Sequence, residues 1–114
     1  MSPALLAVFL AARALVESGG DAAAQGRDGE TTAYQLTPAA VAWCRARGAE
    51  SDVEMAAAWA RQLERELLDR GVEPMPFNVA LAWNAGVPAA CTGRASIAAY
   101  ESARRTVNLM ESAR

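Results

Sequence analysis

The 114-residue sequence has no histidine and no lysine. Without histidine, Ser-His-Asp and Cys-His catalysis and the commonest zinc ligand are excluded. Without lysine, Schiff-base chemistry and the P-loop lysine are excluded, and all 11 basic residues are arginine. Aromatic residues make up only 6% and cysteine occurs twice, as Cys44 and Cys91. That spacing fits no metal site and reads equally as a disulfide of an exported protein or as two buried thiols. The net charge of −2 argues against a broad basic face for nucleic acid. The longest apolar run is too short to span a bilayer. What is left for acid–base work is carboxylates, two tyrosines and two cysteines.

What is present is apolar and helix-forming. Hydrophobic residues account for 53% of the chain, and alanine alone fills 28 positions. A chain of this size buries about two-thirds of its unfolded surface, enough for one core, so residues 1–114 read as a single domain.

The opening stretch MSPALLAVFLAARA has an apolar run and a small-residue end, like a secretory signal. No positive charge precedes the run, and Arg13 interrupts its end. Pro3 at a first-turn position, Leu5, Phe9, Ala12 and Val16 at helical spacing, and Gly19-Gly20 as a stop predict the first helix of the folded domain. A polar segment follows, in which Asp28-Gly29 signals a turn and Thr31-Thr32-Ala33-Tyr34 suits a short strand.

Helices dominate afterwards. Thr37-Pro38 opens one that runs to about Arg47. Ser51-x-x-Glu54 is a capping box opening a second to about Arg70, with an apolar stripe Val53, Ala57, Ala60, Leu63, Leu67. Arg65–Asp69 and Glu66–Arg70 stand four apart on its polar face. Phe77 to Trp83 reads as a short buried helix stopping at Asn84-Ala85-Gly86. A loop containing Pro88 and Gly93 then leads to a last helix from about Ser96 to Ser112.

Three places put polar groups where packing does not ask for them. Glu17 lies near the negative end of the first helix's dipole and beside apolar neighbours, both of which favour a protonated carboxyl suited to general-acid work. The plain alternative is a solvated glutamate at a helix end. Gln35 offers donors and an acceptor to a ligand, or ties down its own loop. Asn84 beside Trp83 suits a sugar, or is a helix C-cap beside a core tryptophan. Trp43 and Trp59, on alanine-rich helices, read as core.

In order and spacing these features resemble the soluble lytic transglycosylase family, related to goose-type lysozyme. That family shows a catalytic Glu-Ser pair, a Gly-x-x-Gln motif, an Ala-Tyr-Asn-Ala-Gly motif and a tyrosine in a later helix. Here stand Glu17-Ser18-Gly19-Gly20, Thr32-Ala33-Tyr34-Gln35-Leu36-Thr37-Pro38-Ala39, Ala82-Trp83-Asn84-Ala85-Gly86 and Tyr100. The resemblance runs from Leu5 to Met110. It departs at Thr32, where the family has glycine, at Trp83, where it has tyrosine, and in the short length of the chain.

The resemblance implies a mainly α, α+β lysozyme-like fold, with five or so helices around one core and a loop or small β-hairpin after the first helix. It implies cleavage of the β-1,4 bond between N-acetylmuramic acid and N-acetylglucosamine in peptidoglycan, with a 1,6-anhydro product. Glu17 is the implied general acid. Gln35 and Asn84 would hold N-acetyl or hydroxyl groups, Ser18, Tyr34 and Trp83 would line the sugar site, and Tyr100 would hydrogen-bond near Glu17.

The implied partner is the peptidoglycan glycan strand. The implied protein is a monomer with no metal, no cofactor and no nucleic acid, placed in the periplasm or outside the cell, although no export signal is evident in the chain. Three other readings stand beside it. One is a lysozyme-type hydrolase, in which a second carboxylate roughly 6.5–9.5 Å away (Asp21, Asp28 or Glu30) activates water. Another is a catalytically silent peptidoglycan-binding module. The last is a plain helical adaptor with Trp43, Trp59 and Trp83 in its core.

Overall fold

The computed structural model describes residues 1–113 and forms six helices: α1 (Pro3–Ser18), α2 (Pro38–Ala46), α3 (Asp52–Asp69), α4 (Pro76–Ala85), α5 (Val87–Cys91) and α6 (Ile97–Ser112). Local chemistry sets their starts. Ser2, Thr37, Ser51 and Ser96 each accept a hydrogen bond from a first-turn amide, at 3.1 Å in every case. Each such cap is worth about 1 kcal/mol. At Ser51 the Glu54 carboxylate answers the N-cap amide, completing the capping box. Gly19 ends α1 in the left-handed region (φ 66°), where its amide and that of Gly20 reach the carbonyls of Leu15 and Ala14.

Helix α4 lies at the centre. Its Val79, Ala80, Leu81 and Ala82 are buried, as its nearly all-apolar sequence predicts. It packs on α6, α3 and α5, while α1 lies against α6 and α3, and α2 docks on α3. Buried alanines on three helices (Ala56 and Ala60, Ala80 and Ala82, Ala99 and Ala103) let the backbones come close. One core cluster is built on α1, α3, α4 and α6. A second, around Leu36, Ala40, Cys44 and Met55, lies under α2. Tyr34, Trp59 and Trp83 touch both. The molecule is nearly isotropic, 30 × 30 × 29 Å. No helix is long and apolar enough to cross a membrane among the described residues.

The structure revises several expectations. The mainly helical class stands, but the Pro88 loop contains the short helix α5, because proline is accepted in a helix's first turn. The strand expected at residues 31–34 is a turn. A single antiparallel bridge, Thr31 to Leu36, closes it with two 2.9 Å hydrogen bonds. On α3 the buried stripe is Met55, Ala56, Ala60, Leu63 and Leu67, with Val53 exposed. The ion pair within α3, among the described residues, is Arg61–Glu64 instead of the two expected pairs.

Both cysteines are free thiols. Cys44 is buried and donates to the Met55 carbonyl at 3.3 Å. Burial pushes its thiol up, with Arg47 opposing. Trp43 and Trp59 pack edge to face at 5.6 Å, and Arg47 stacks over Trp43.

Candidate functional site

The residue that organises the polar side of the molecule is Arg13. It lies one turn before Glu17 on the otherwise apolar α1 and is fully buried. Burying a guanidinium costs several kcal/mol unless it is paired and hydrogen-bonded. Four of its five N–H groups are satisfied. Nη1 donates to Ser102 Oγ and Thr106 Oγ1 on α6, both at 3.1 Å. Nη2 donates to Glu17 Oε1 and, at 3.3 Å, to Asn84 Oδ1. The fifth, Nε, is buried with no partner among the described residues. The Trp83 ring lies 5.4 Å from the guanidinium carbon, a cation–π contact. Burial lowers the basicity of Arg13, and the charge and hydrogen bond of Glu17 oppose that. The group remains a cation at any ordinary pH.

This alters the setting expected for Glu17. The purely apolar neighbourhood read from α1 is absent, because its carboxylate meets a buried cation through Oε1. No hydrogen bond reaches Oε2 among the described residues. The side chain keeps 16% exposure, so the carboxylate stands at the edge of solvent.

Trp83 and Asn84 arrive at the end of α4, as expected of a short apolar helix that stops at Asn84-Ala85-Gly86. Asn84 Nδ2 donates to Ser102 Oγ at 2.8 Å while its Oδ1 accepts from Arg13, so the amide has one consistent orientation. That leaves one N–H and one lone pair of Asn84 for a ligand. Trp83 Nε1 donates to the Tyr34 carbonyl at 3.2 Å, which ties α4 to the loop.

The loop supplies the opposite wall. Ser18 Oγ lies 2.7 Å from the Ala33 carbonyl and 3.1 Å from that of Ala14, fastening the loop to α1. Gln35 spends both amide hydrogens on the carbonyls of Ala24 (3.1 Å) and Thr32 (2.8 Å), so its loop-tying role is realised and only Oε1 remains for a ligand. Thr32 and Gln35 both adopt left-handed backbone, φ 70° and 51°. Thr32 is β-branched, and such a residue is strained in this region. Its hydroxyl accepts from the Tyr34 amide at 3.1 Å. Gly26 faces this cluster with no room for a side chain. A Cβ there would stand 2.9 Å from Gln35 Oε1 and from Glu30 Cβ, and closer still to the Glu30 carboxylate. Glu30 Oε2 in turn accepts from the Asp28 amide at 3.0 Å.

Between the walls lies a cleft of about 240 Å³, lined by Glu17, Gly26, Arg27, Glu30, Gln35, Thr37, Trp83 and Asn84. A larger hollow of about 330 Å³ between α1 and α6 is lined by alanine, valine and leucine alone and carries no group for acid–base work. Of the residues singled out from sequence, Glu17, Gln35, Trp83 and Asn84 meet in the polar cleft. Ser18 and Tyr34 brace it from behind.

The Tyr34 ring lines a separate hollow with Leu6, Leu10 and Val53, where burial and the charge of Asp52 push its phenol up. Tyr100 does not line the cleft. It packs on Phe77, ring centres 6.5 Å apart, and α6 reaches the site through Ser102 instead. Of the three loop carboxylates only Glu30 lines the cleft. Asp21 accepts from the Ala23 amide.

Sequence reasoning missed Arg13, Gly26, Ser102 and Thr106. The available signals were an arginine inside an apolar helix four residues before a glutamate, and two hydroxyls four apart on the last helix. No group of three potential metal ligands converges among the described residues. No family model, curated protein or solved structure matches the chain.

Proposed function

We propose that this domain is a lysozyme-like glycosidase that cleaves the β-1,4 bond of peptidoglycan, acting at the cell wall in the periplasm or outside the cell, with Glu17 as its catalytic acid. The supporting observation is convergence. Glu17, Gln35 and Trp83-Asn84 come from three separate motifs and line one polar cleft. Glu17 delivers its proton to the glycosidic oxygen as the bond from that oxygen to the muramic acid C1 breaks, and positive charge develops on the ring. The resulting carboxylate takes the proton from the sugar's own 6-hydroxyl as O6 bonds to C1. Glu17 is regenerated and a 1,6-anhydro end forms without water. Asn84 presents one donor and one acceptor, and Gln35 one acceptor, to the N-acetyl and hydroxyl groups of the ring. The indole of Trp83 offers it an apolar face.

Hydrolysis is a second reading, favoured by Glu30 in the same cleft. That carboxylate would activate a water on the opposite face of the sugar. The decisive variant is Glu17→Gln, which keeps the shape and removes the proton. Expected is loss of peptidoglycan clearing in a turbidity assay, roughly 10²–10⁴-fold in rate for loss of acid–base catalysis, with an unchanged circular dichroism spectrum. Clearing at the parental rate removes the catalytic role from Glu17, and no clearing by the parent leaves a silent binding module.

A further inference from the structure

We propose that Arg13 is a positioning residue of this site: anchored on Ser102 and Thr106, it holds the Glu17 carboxylate and the Asn84 amide in one fixed relation. The proposal rests on the reading of Glu17 as the acid. Arg13 does not itself line the cleft and acts through the two residues it holds.

Three observations carry the proposal. First, packing gives no reason for a cation here. A buried ion pair is often no more stable than well-packed apolar side chains of the same volume, and here one N–H is left buried without a partner. Second, Glu17 does not need Arg13 for solvation, because its side chain reaches solvent at the cleft edge. Third, the guanidinium divides its donors by task. Both Nη1 hydrogens go to hydroxyls of α6, and both Nη2 hydrogens go to groups that line the cleft.

A planar fork with its back half fixed cannot rotate its front half, so Glu17 Oε1 and Asn84 Oδ1 are held from a single nitrogen. Ser102 closes the ring by accepting from both Arg13 and Asn84. The contacts join α1, α4 and α6, so the acid and the sugar-binding amide share one frame although 67 positions separate them (84 − 17).

The test compares the parent with Arg13→Met, Arg13→Lys and Ser102→Ala. It uses steady-state kinetics on soluble peptidoglycan fragments, and the side-chain amide signals of Asn84 in ¹H–¹⁵N spectra. For a folded Arg13→Met protein the expectation is a kcat lowered roughly 10²-fold with KM little changed, as for a small misplacement of reacting groups. The Asn84 amide pair should move, because its acceptor side has lost its donor. Arg13→Lys should recover part of kcat, since an ammonium reaches Glu17 or Asn84 but not both.

Ser102→Ala, at a partly exposed position, should move kcat and the Asn84 signals in the same direction by less. It decides the matter if Arg13→Met does not fold. A parental kcat in Arg13→Met, or unmoved Asn84 signals, overturns the positioning role. A parent that turns over no peptidoglycan overturns the glycosidase reading instead, and the Asn84 signals still decide whether Arg13 holds the amide.

Discussion

The helical wall of the cleft, Glu17 on α1 and Trp83-Asn84 on α4, is held by side chains that reach across the core to Arg13, Ser102 and Phe9. The loop wall, Gly26 to Gln35, is shaped by its own backbone and fastened at its carbonyls by the side chains of Ser18, Gln35 and Trp83. A single bridge, two left-handed residues and a glycine pressed against two side chains fix its shape. Two supports of the helical wall, Arg13 and Phe9, are fully buried, and Ser102 is partly exposed. The loop wall depends instead on conformations that few residue types adopt, and changes there act locally.

This contrast can be broken at either wall, and the largest effect is expected at the helical one. Phe9 is fully buried and its ring lies 6.1 Å from that of Trp83. Phe9→Ala should cost about 3–5 kcal/mol, by lost burial and the cavity left behind. Thermal denaturation should show a fall of roughly 15 °C, at about 4 °C per kcal/mol for a domain of this size.

A smaller effect is expected at Gly26, where an added methyl must displace Glu30 and Gln35. Gly26→Ala should cost about 1–3 kcal/mol, in the range for overpacking. Amide shifts should change in residues 24–36 while those of α4 and α6 stay put. If they spread to α6, the two walls are not independent. The smallest effect has the opposite sign. Thr32→Asn keeps a side-chain acceptor for the Tyr34 amide and removes the β-branch from a left-handed position. It should stabilise by about 1 kcal/mol, seen as a higher urea midpoint at an unchanged m-value. A lower midpoint would mean that the Thr32 conformation carries no strain.

The same contrast sorts what the sequence reveals from what it hides. The caps at Ser2, Thr37, Ser51 and Ser96 are local, so the helix starts can be read directly. The core of α4 is legible too, since a ten-residue helix with almost no polar position must be buried.

Helix α5 was hidden because five residues are too few to show a periodicity, and Pro88 reads as a breaker when met away from a helix start. Thr31-Thr32 carries β-branched residues, but a strand needs a partner, and the left-handed turns at Thr32 and Gln35 stop the pairing after one rung. Within the site, the motif residues Glu17, Gln35, Trp83 and Asn84 were legible by order and spacing. Arg13 was not, because its partners Asn84, Ser102 and Thr106 lie 71, 89 and 93 positions away. Along the chain it looks only like an interruption of an apolar run. Tyr100 was misplaced for the related reason that helix position alone does not say which face of α6 meets the cleft.

The most direct measurement is mass spectrometry of the fragments released when the intact protein and its Glu17→Gln variant are incubated with peptidoglycan. The expected result is fragments ending in 1,6-anhydro-N-acetylmuramic acid from the parent and none above background from the variant. Reducing ends in place of anhydro ends would transfer the second step to water and to Glu30. Equal release by parent and variant, or no release by the parent, would contradict the assignment of Glu17 as the acid of a peptidoglycan-cleaving cleft.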